Sequence, residues 1–286
     1  MRACYHIVIE TPKGLSLNGL WFGPQKPKKV IVWVHGLGSS AFSKLGIVDE
    51  LVDASTAVIT FNNRGAGKVS STSSGRNKRM RGGAAHEKFT ECVDDIEGAV
   101  RYAKQRKVKD VFLAGHSTGC QKSVHWATKK NGVKGIVLLA PVSDYAATVM
   151  LDGKRKIDRA LAYAMKLVQK KRGHELLPES IWQWSLLADA QRFLSMYAGK
   201  GAEEIFLYWD PKRDPKALRS VKVPLLVLLA EKDEYADRPA AEMADWFRAH
   251  VRISKNVHVI PQVEHGFIGG EKQVASIIKQ WSNVLS

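Results

Sequence analysis

The chain has 286 residues, 45% hydrophobic and 25% charged, and 44 Lys/Arg against 28 Asp/Glu give it a formal charge of +16. That length permits one α/β domain with insertions or two small domains, and the composition is that of an ordinary globular protein. The apolar runs fall far short of the ~18 residues that suggest a membrane span, and the three cysteines, Cys4, Cys92 and Cys120, match no zinc or redox spacing and read as free thiols.

The first residues, MRACYHIVIE, hold no apolar leader core and no small-residue cleavage site, so they read as a strand of a cytoplasmic protein. YHIVIE and LSLNGLWF predict an antiparallel hairpin about the turn TPKG. KKVIVWVHG is a continuous apolar run ending in glycine, the pattern of a strand buried on both faces. Leu45, Val48, Leu51 and Val52 recur at helical spacing within Ser43–Ala54, and TAVITFNNRG is the next buried strand. Residues 64–86 are polar and glycine-rich and read as a long loop.

A helix follows from about Phe89 to Lys107, with Cys92, Val93, Ile96, Val100 and Ala103 as its apolar stripe. Then come the strand KDVFLAGHS, a helix from about Thr118, and the strand GVKGIVLLAP. The last strands are VPLLVLLAEKD and NVHVIPQVEH, separated by a helix around Pro239–His250, and a helix over Ile277–Val284 closes the chain. Between them, residues 143–215 offer no good strand but many helix formers and large side chains, including Tyr163, Met165, Trp182, Trp184, Phe193, Met196, Tyr197, Phe206, Tyr208 and Trp209. This predicts a helical insertion whose aromatics mostly build a core. The strand–helix alternation predicts a mostly parallel, eight-stranded sheet with helices on both faces.

In an open parallel sheet the residues just beyond the strand ends gather at one edge. Those residues are His35-Gly36-Leu37-Gly38, Asn62-Asn63-Arg64-Gly65, Gly115-His116-Ser117, Glu231-Lys232-Asp233 and Val263-Glu264-His265-Gly266. A serine, a carboxylate and a histidine are thereby brought together. A serine hydroxyl is a weak nucleophile until a histidine takes its proton, and a carboxylate holds that histidine in the useful tautomer. Gly115 and Gly119 around Ser117 suit a sharp strand-to-helix turn, although a serine there could also simply cap the helix. Asp233 is preferred as the acid over its neighbours Asp237 and Glu231. The backbone N–H groups of Thr118 and Leu37 are the expected oxyanion donors.

With GHSTG after one strand, HG after an earlier one, an aspartate after a later one and a terminal HG, the chain resembles the α/β-hydrolase superfamily over nearly its whole length. GHSTGCQ and FNNRGAG further resemble the fungal siderophore-ester hydrolases. The resemblance implies an α/β-hydrolase core from residues 1–142 and 216–286, a helical cap at 143–215, and ester hydrolysis by Ser117, His265 and Asp233 without metal or organic cofactor. A thioesterase, amidase or peptidase would use the same three residues, and a non-catalytic binding protein could keep the same scaffold.

Other residues have modest expectations. His116 reads as a packing or pocket-wall residue, His35 as a partner of loop backbone, and Cys120 as a small buried hydrophobe. Arg64 fits either an anionic substrate or a brace for its own loop; His86 receives no role. Seven Lys/Arg lie between Arg64 and Lys88, including those of RNKRMRGG, and eight between Asp152 and His174. Such charge can steer a small, anionic ester substrate or attract nucleic acid or lipid, or it can simply be solvated surface. No nucleic-acid-binding signature is present. Composition leaves the oligomeric state open.

Overall fold

The N-terminal hairpin forms as its alternating pattern dictates: Cys4–Glu10 (β1) pairs antiparallel with Leu15–Phe22 (β2). In this computed structural model the described residues are 3–74, 78–182, 187–253 and 255–286; Trp184 and Arg76 lie outside them. The apolar runs become Lys29–Val34 (β3) and Thr56–Phe61 (β4). Beyond them Ser70–Ser74 (β5) and Lys78–Gly82 (β6) form a hairpin. Asp110–His116 (β7), Gly135–Leu139 (β8), Leu225–Ala230 (β9) and Lys255–Ile260 (β10) complete the sheet.

The strand order is β10-β9-β8-β7-β3-β4-β2-β5-β6, with β1 on β2. From β10 to β4 every neighbouring pair is parallel. The sheet therefore has ten strands rather than the expected eight, and residues 64–86 are not simply a loop. The cause is visible in the composition of β5, SSTSS, which has no apolar face to reveal a strand. Its pairing is a backbone matter: Leu15 and Ser16 of β2 meet Ser74 and Ser73, on the stretch of β2 that precedes its pairing with β4.

Side chains of β3 alternate between two cores. Val30, Val32 and Val34 enter one, and Ile31 and Trp33 enter the other. The first core is closed by Cys92–Gln105 (α2), Thr118–Ala127 (α3) and Ala240–His250 (α8). The second is closed by Leu45–Leu51 (α1) and Glu271–Val284 (α9). Burial on both faces is why these strands read as unbroken apolar runs. Helix α1 is shorter than the Ser43–Ala54 pattern, and α9 starts at Glu271 rather than Ile277 because its first turn is polar and solvent-facing.

Between β8 and β9 the chain is helical: Asp144–Asp152 (α4), Lys154–Gln169 (α5), Ala190–Tyr197 (α6) and Lys216–Arg219 (α7). Ser143 caps α4 and Asp189 caps α6, each accepting a backbone N–H. Ile157, Ala160 and Ala164 of α5 pack with Trp182, Phe193, Met196 and Tyr197 in a third core, whereas Phe206 and Tyr208 join the first. The aromatics are thus mostly structural, and Met165 is exposed instead. Among the described residues no helix is long and apolar enough to cross a membrane.

Candidate active site

Ser117 stands where β7 turns into α3, at φ 55° and ψ −127°. A non-glycine residue in that region stores about 1–3 kcal/mol of strain, which the surrounding structure must hold in place. Its N–H donates to the Leu139 carbonyl at 3.0 Å. Its side chain makes no capping hydrogen bond to α3, so the helix-cap role does not describe it. The flanking glycines are sterically required. A Cβ on Gly119 would overlap the Val34 carbonyl oxygen, and one on Gly115 would overlap the backbone of Gly119. A Cβ on Gly36 would lie 3.0 Å from that of Ser117, so the loop after β3 lies directly beside the serine.

His265 arrives from the loop after β10, 8% exposed. Its Nδ1 lies 2.9 and 3.0 Å from the two carboxyl oxygens of Asp233, which follows β9. The competing acids are engaged elsewhere: Asp237 pairs with Arg238, and Glu231 accepts the Gln262 backbone N–H. The His265 loop is held from several sides. Glu234 accepts its backbone N–H at 2.9 Å, the ring of His116 bonds its carbonyl oxygen through Nε2 at 2.9 Å, and Lys44 donates to the next carbonyl, that of Gly266, at 3.0 Å. The Tyr235 ring packs edge-on against the imidazole.

Ser117 and His265 border one cavity of about 550 Å³. Among the described residues no direct hydrogen bond joins their side chains, a looseness common where no substrate is bound. Leu37 also borders the cavity, while its side chain packs against the third core. Thr118 opens α3 next to Ser117, its side chain buried.

Several cavity residues were not flagged by sequence: Lys44, Lys68, Asp144, Thr148, Leu151 and Tyr235. Asp144 could have been found, since it follows the strand GIVLL by the same edge rule. Burial, with Glu203 and Glu204 nearby, pushes its carboxyl well above the usual carboxylate range, and Gln121 of α3 donates to it at 3.0 Å. Burial lowers the pKa of the Lys44 ammonium.

Arg64 proves to be a brace. Its guanidinium bonds Asp95, Asp94 and Glu91, tying the loop after β4 to the start of α2. His86 bonds the Asp189 carboxylate at 2.8 Å and so fastens residues 64–86 to the cap of α6. His35 bonds the Gly36 carbonyl at 2.8 Å, as expected for a loop partner. Cys92 and Cys120 are buried, Cys4 is exposed, and all three are free. Burial raises the Cys120 thiol well above its ordinary pKa, while its Sγ contacts the carbonyls of Gly115 and Leu139.

A buried charge cluster joins helix α3 to α6. Lys122 of α3 meets Glu87 at 2.6 Å, Glu87 lies 3.5 Å from Arg192 of α6, and Arg192 reaches Glu203. Nothing in the sequence marks it, because a lysine in an amphipathic helix reads as solvent-facing.

The fold is shared with solved hydrolases. The siderophore hydrolase EstB from Aspergillus fumigatus matches at a TM-score of 0.72 and 17% identity, covering 99% of this chain and 98% of that one. Ferulic-acid-bound Est1E from Butyrivibrio proteoclasticus matches at 0.64 and 17%, covering 96% and 97%. A soluble variant of the monoglyceride lipase from Saccharomyces cerevisiae matches at 0.68 and 14%, covering 100% and 96%. These likenesses establish an α/β-hydrolase fold. No curated protein matches the chain in sequence. A family model described as "Protein of unknown function (DUF1749)" matches residues 82–285, from the end of β6 through α9, and the chain belongs to that family.

Proposed function

We propose that the protein is a serine hydrolase that cleaves carboxylic esters of small molecules through an acyl-enzyme. One observation carries the reading: a serine held at positive φ and a histidine paired with the Asp233 carboxylate border the same cavity through Ser117 and His265, and its volume of about 550 Å³ suits a small organic ligand. The siderophore hydrolase and the monoglyceride lipase among the structural neighbours agree with it.

In this mechanism the Ser117 hydroxyl attacks the ester carbonyl while His265 Nε2 takes its proton. Asp233 holds Nδ1–H and stabilises the imidazolium. The N–H groups of Thr118 and Leu37 receive the oxyanion, each donor lowering the barrier by about 2.7–4 kcal/mol. His265 returns the proton to the leaving alcohol, then activates water to release the acid. Residues 143–215 act as a cap over the core of residues 1–142 and 216–286. Lys44 and Lys68 on the cavity wall fit an ester bearing an anionic group. The reaction calls on no metal or organic cofactor, and its setting is the cytoplasm.

The test is hydrolysis of p-nitrophenyl esters of graded acyl length, with fluorophosphonate labelling, by wild type and Ser117→Ala. Wild type turns over and is labelled at Ser117; the variant does neither. Equal activity in both proteins, or inactivity and no labelling of wild type, overturns the reading.

A further inference from the structure

Two kinds of polar group line the cavity of Ser117. Lys44 and Lys68 come from the loops after β3 and β4, and Asp144 begins α4 just beyond β8. An ionised aspartate there would repel the anionic group that the two lysines fit, and a neutral one would not. The surroundings favour the neutral form. Burial opposes a negative charge on Asp144, and the carboxyl groups of Glu203 and Glu204 add to the effect. The start of α4 favours an anion, as do Arg192 and Lys122. Those two cations are already engaged, however: Arg192 pairs with Glu203 and Glu87, and Lys122 pairs with Glu87.

The hydrogen bonds fix where the carboxyl proton sits. The Val142 carbonyl can only accept, so the Gln121 side chain must turn its Nε2 toward it, at 2.9 Å. The same Nε2 donates to Asp144 Oδ2 at 3.0 Å, which makes Oδ2 an acceptor. The proton is therefore left to Oδ1. Among the described residues Oδ1 has no hydrogen-bond partner, and it is not one of the enclosed polar atoms. Asp144 is only partly buried and borders the cavity, and Gln121 lies one helical turn beyond Ser117 on α3. The free O–H thus belongs to the cavity that holds the serine.

We propose that Asp144 is a specificity-determining residue: its neutral carboxyl donates a hydrogen bond from Oδ1 to a substrate oxygen other than those of the scissile ester. The substrate class is then an ester that carries a ketone or hydroxyl oxygen, together with the anionic group suited to Lys44 and Lys68. The inference rests on the proposed ester hydrolysis and narrows its substrate.

Wild type, Asp144→Asn and Asp144→Leu are compared by pH-stat titration on pairs of esters differing only by a ketone in place of one methylene. One series varies the acyl chain and the other the alcohol. Wild type should favour the ketone ester in one series by about three- to tenfold in kcat/KM, the worth of one neutral hydrogen bond. An asparagine can accept from Gln121 and still donate into the cavity, so Asp144→Asn should keep the preference. Asp144→Leu has no donor and should lose it. The preference is a ratio between two substrates, so a general loss of activity or of folded protein cancels from it. Infrared difference spectroscopy near neutral pH, wild type minus Asp144→Asn, reads the proton without a substrate and should show the carbonyl stretch of a carboxylic acid. A carboxylate band in its place overturns the inference, even if Asp144→Leu fails to fold. So does turnover with no ketone preference, a preference that survives in Asp144→Leu or is lost in Asp144→Asn, or a preference for esters bearing an ammonium group. Each of these leaves the hydrolase reading standing, whereas failure of wild type to hydrolyse any ester overturns that reading and this inference with it.

Discussion

The carbonyl oxygen of Val34 occupies the space that a Cβ on Gly119 would need. Strand β3 and the first turn of α3 are packed so closely that the loop after β3 lies against Ser117, and the strained turn at Ser117 cannot relax without parting them. Gly119→Ala should therefore displace the serine from its loop. The expected outcome is a fall in melting temperature with loss of ester hydrolysis of at least about a hundredfold, since a misplacement of ~1 Å costs that much. Wild-type stability and activity in this variant would show that the turn tolerates a side chain.

Asp233 and His265 share two short contacts, so the carboxylate decides which ring nitrogen carries the proton. Asp233→Asn keeps the shape and presents the wrong partner to Nδ1. Under the proposed mechanism kcat falls by about 10⁴ while KM changes little. Steady-state kinetics check this, and an unchanged kcat would remove Asp233 from the chemistry.

The buried cluster of Glu87, Lys122 and Arg192 gives a stability prediction. Burial alone would raise the Glu87 pKa, but the two cations hold it below the usual carboxylate range. Lys122→Met leaves Glu87 with Arg192 still 3.5 Å away, whereas Glu87→Gln leaves the buried Lys122 facing a neutral amide while Arg192 keeps Glu203. Breaking such a pair costs about 3–5 kcal/mol, or ~10 °C in melting temperature for a chain of this size. Calorimetry should rank Glu87→Gln as the more damaging change; the reverse order would mean that Lys122 matters mainly through packing.

His35 links stability to pH. Burial, helped by the charge of Lys122, lowers its pKa from 6.5 to about 4. Between those values the unfolded chain binds a proton that the folded one refuses. Its stabilising contribution is therefore complete above pH 6.5 and is lost as the pH falls toward 4, by about 3 kcal/mol in total. Urea unfolding between about pH 7 and pH 4 should show a slope smaller by about one proton in His35→Gln. Burial also holds the pKa of His116 well below 6.5, so the slope should shrink rather than vanish. Parallel curves for the two proteins would exclude His35 as the source.

The parallel strands and the order of the serine, aspartate and histidine segments were legible because each is a local pattern: apolar runs buried on two faces, each followed by a polar turn. The hairpin Ser70–Ser74 with Lys78–Gly82 was not legible, because strands made almost wholly of polar side chains carry no hydrophobic rhythm. Arg64 shows the limit for single residues. Its sequence position allowed a substrate contact, and only its enclosure by Asp94, Asp95 and Glu91 made it a brace.

By itself the amino-acid sequence determined the fold class and the edge of the sheet at which Ser117, Asp233 and His265 come to lie, since strand burial and turn chemistry act between near neighbours in the chain. Tertiary structure alone decided that Glu87 lies between Lys122 and Arg192 and that Asp144, Lys44 and Leu151 border the cavity. The reason is that charge pairing and cavity shape depend on which distant segments meet, and in this protein those meetings join residues far apart in the chain, as between Lys44 and Gly266 or His116 and His265.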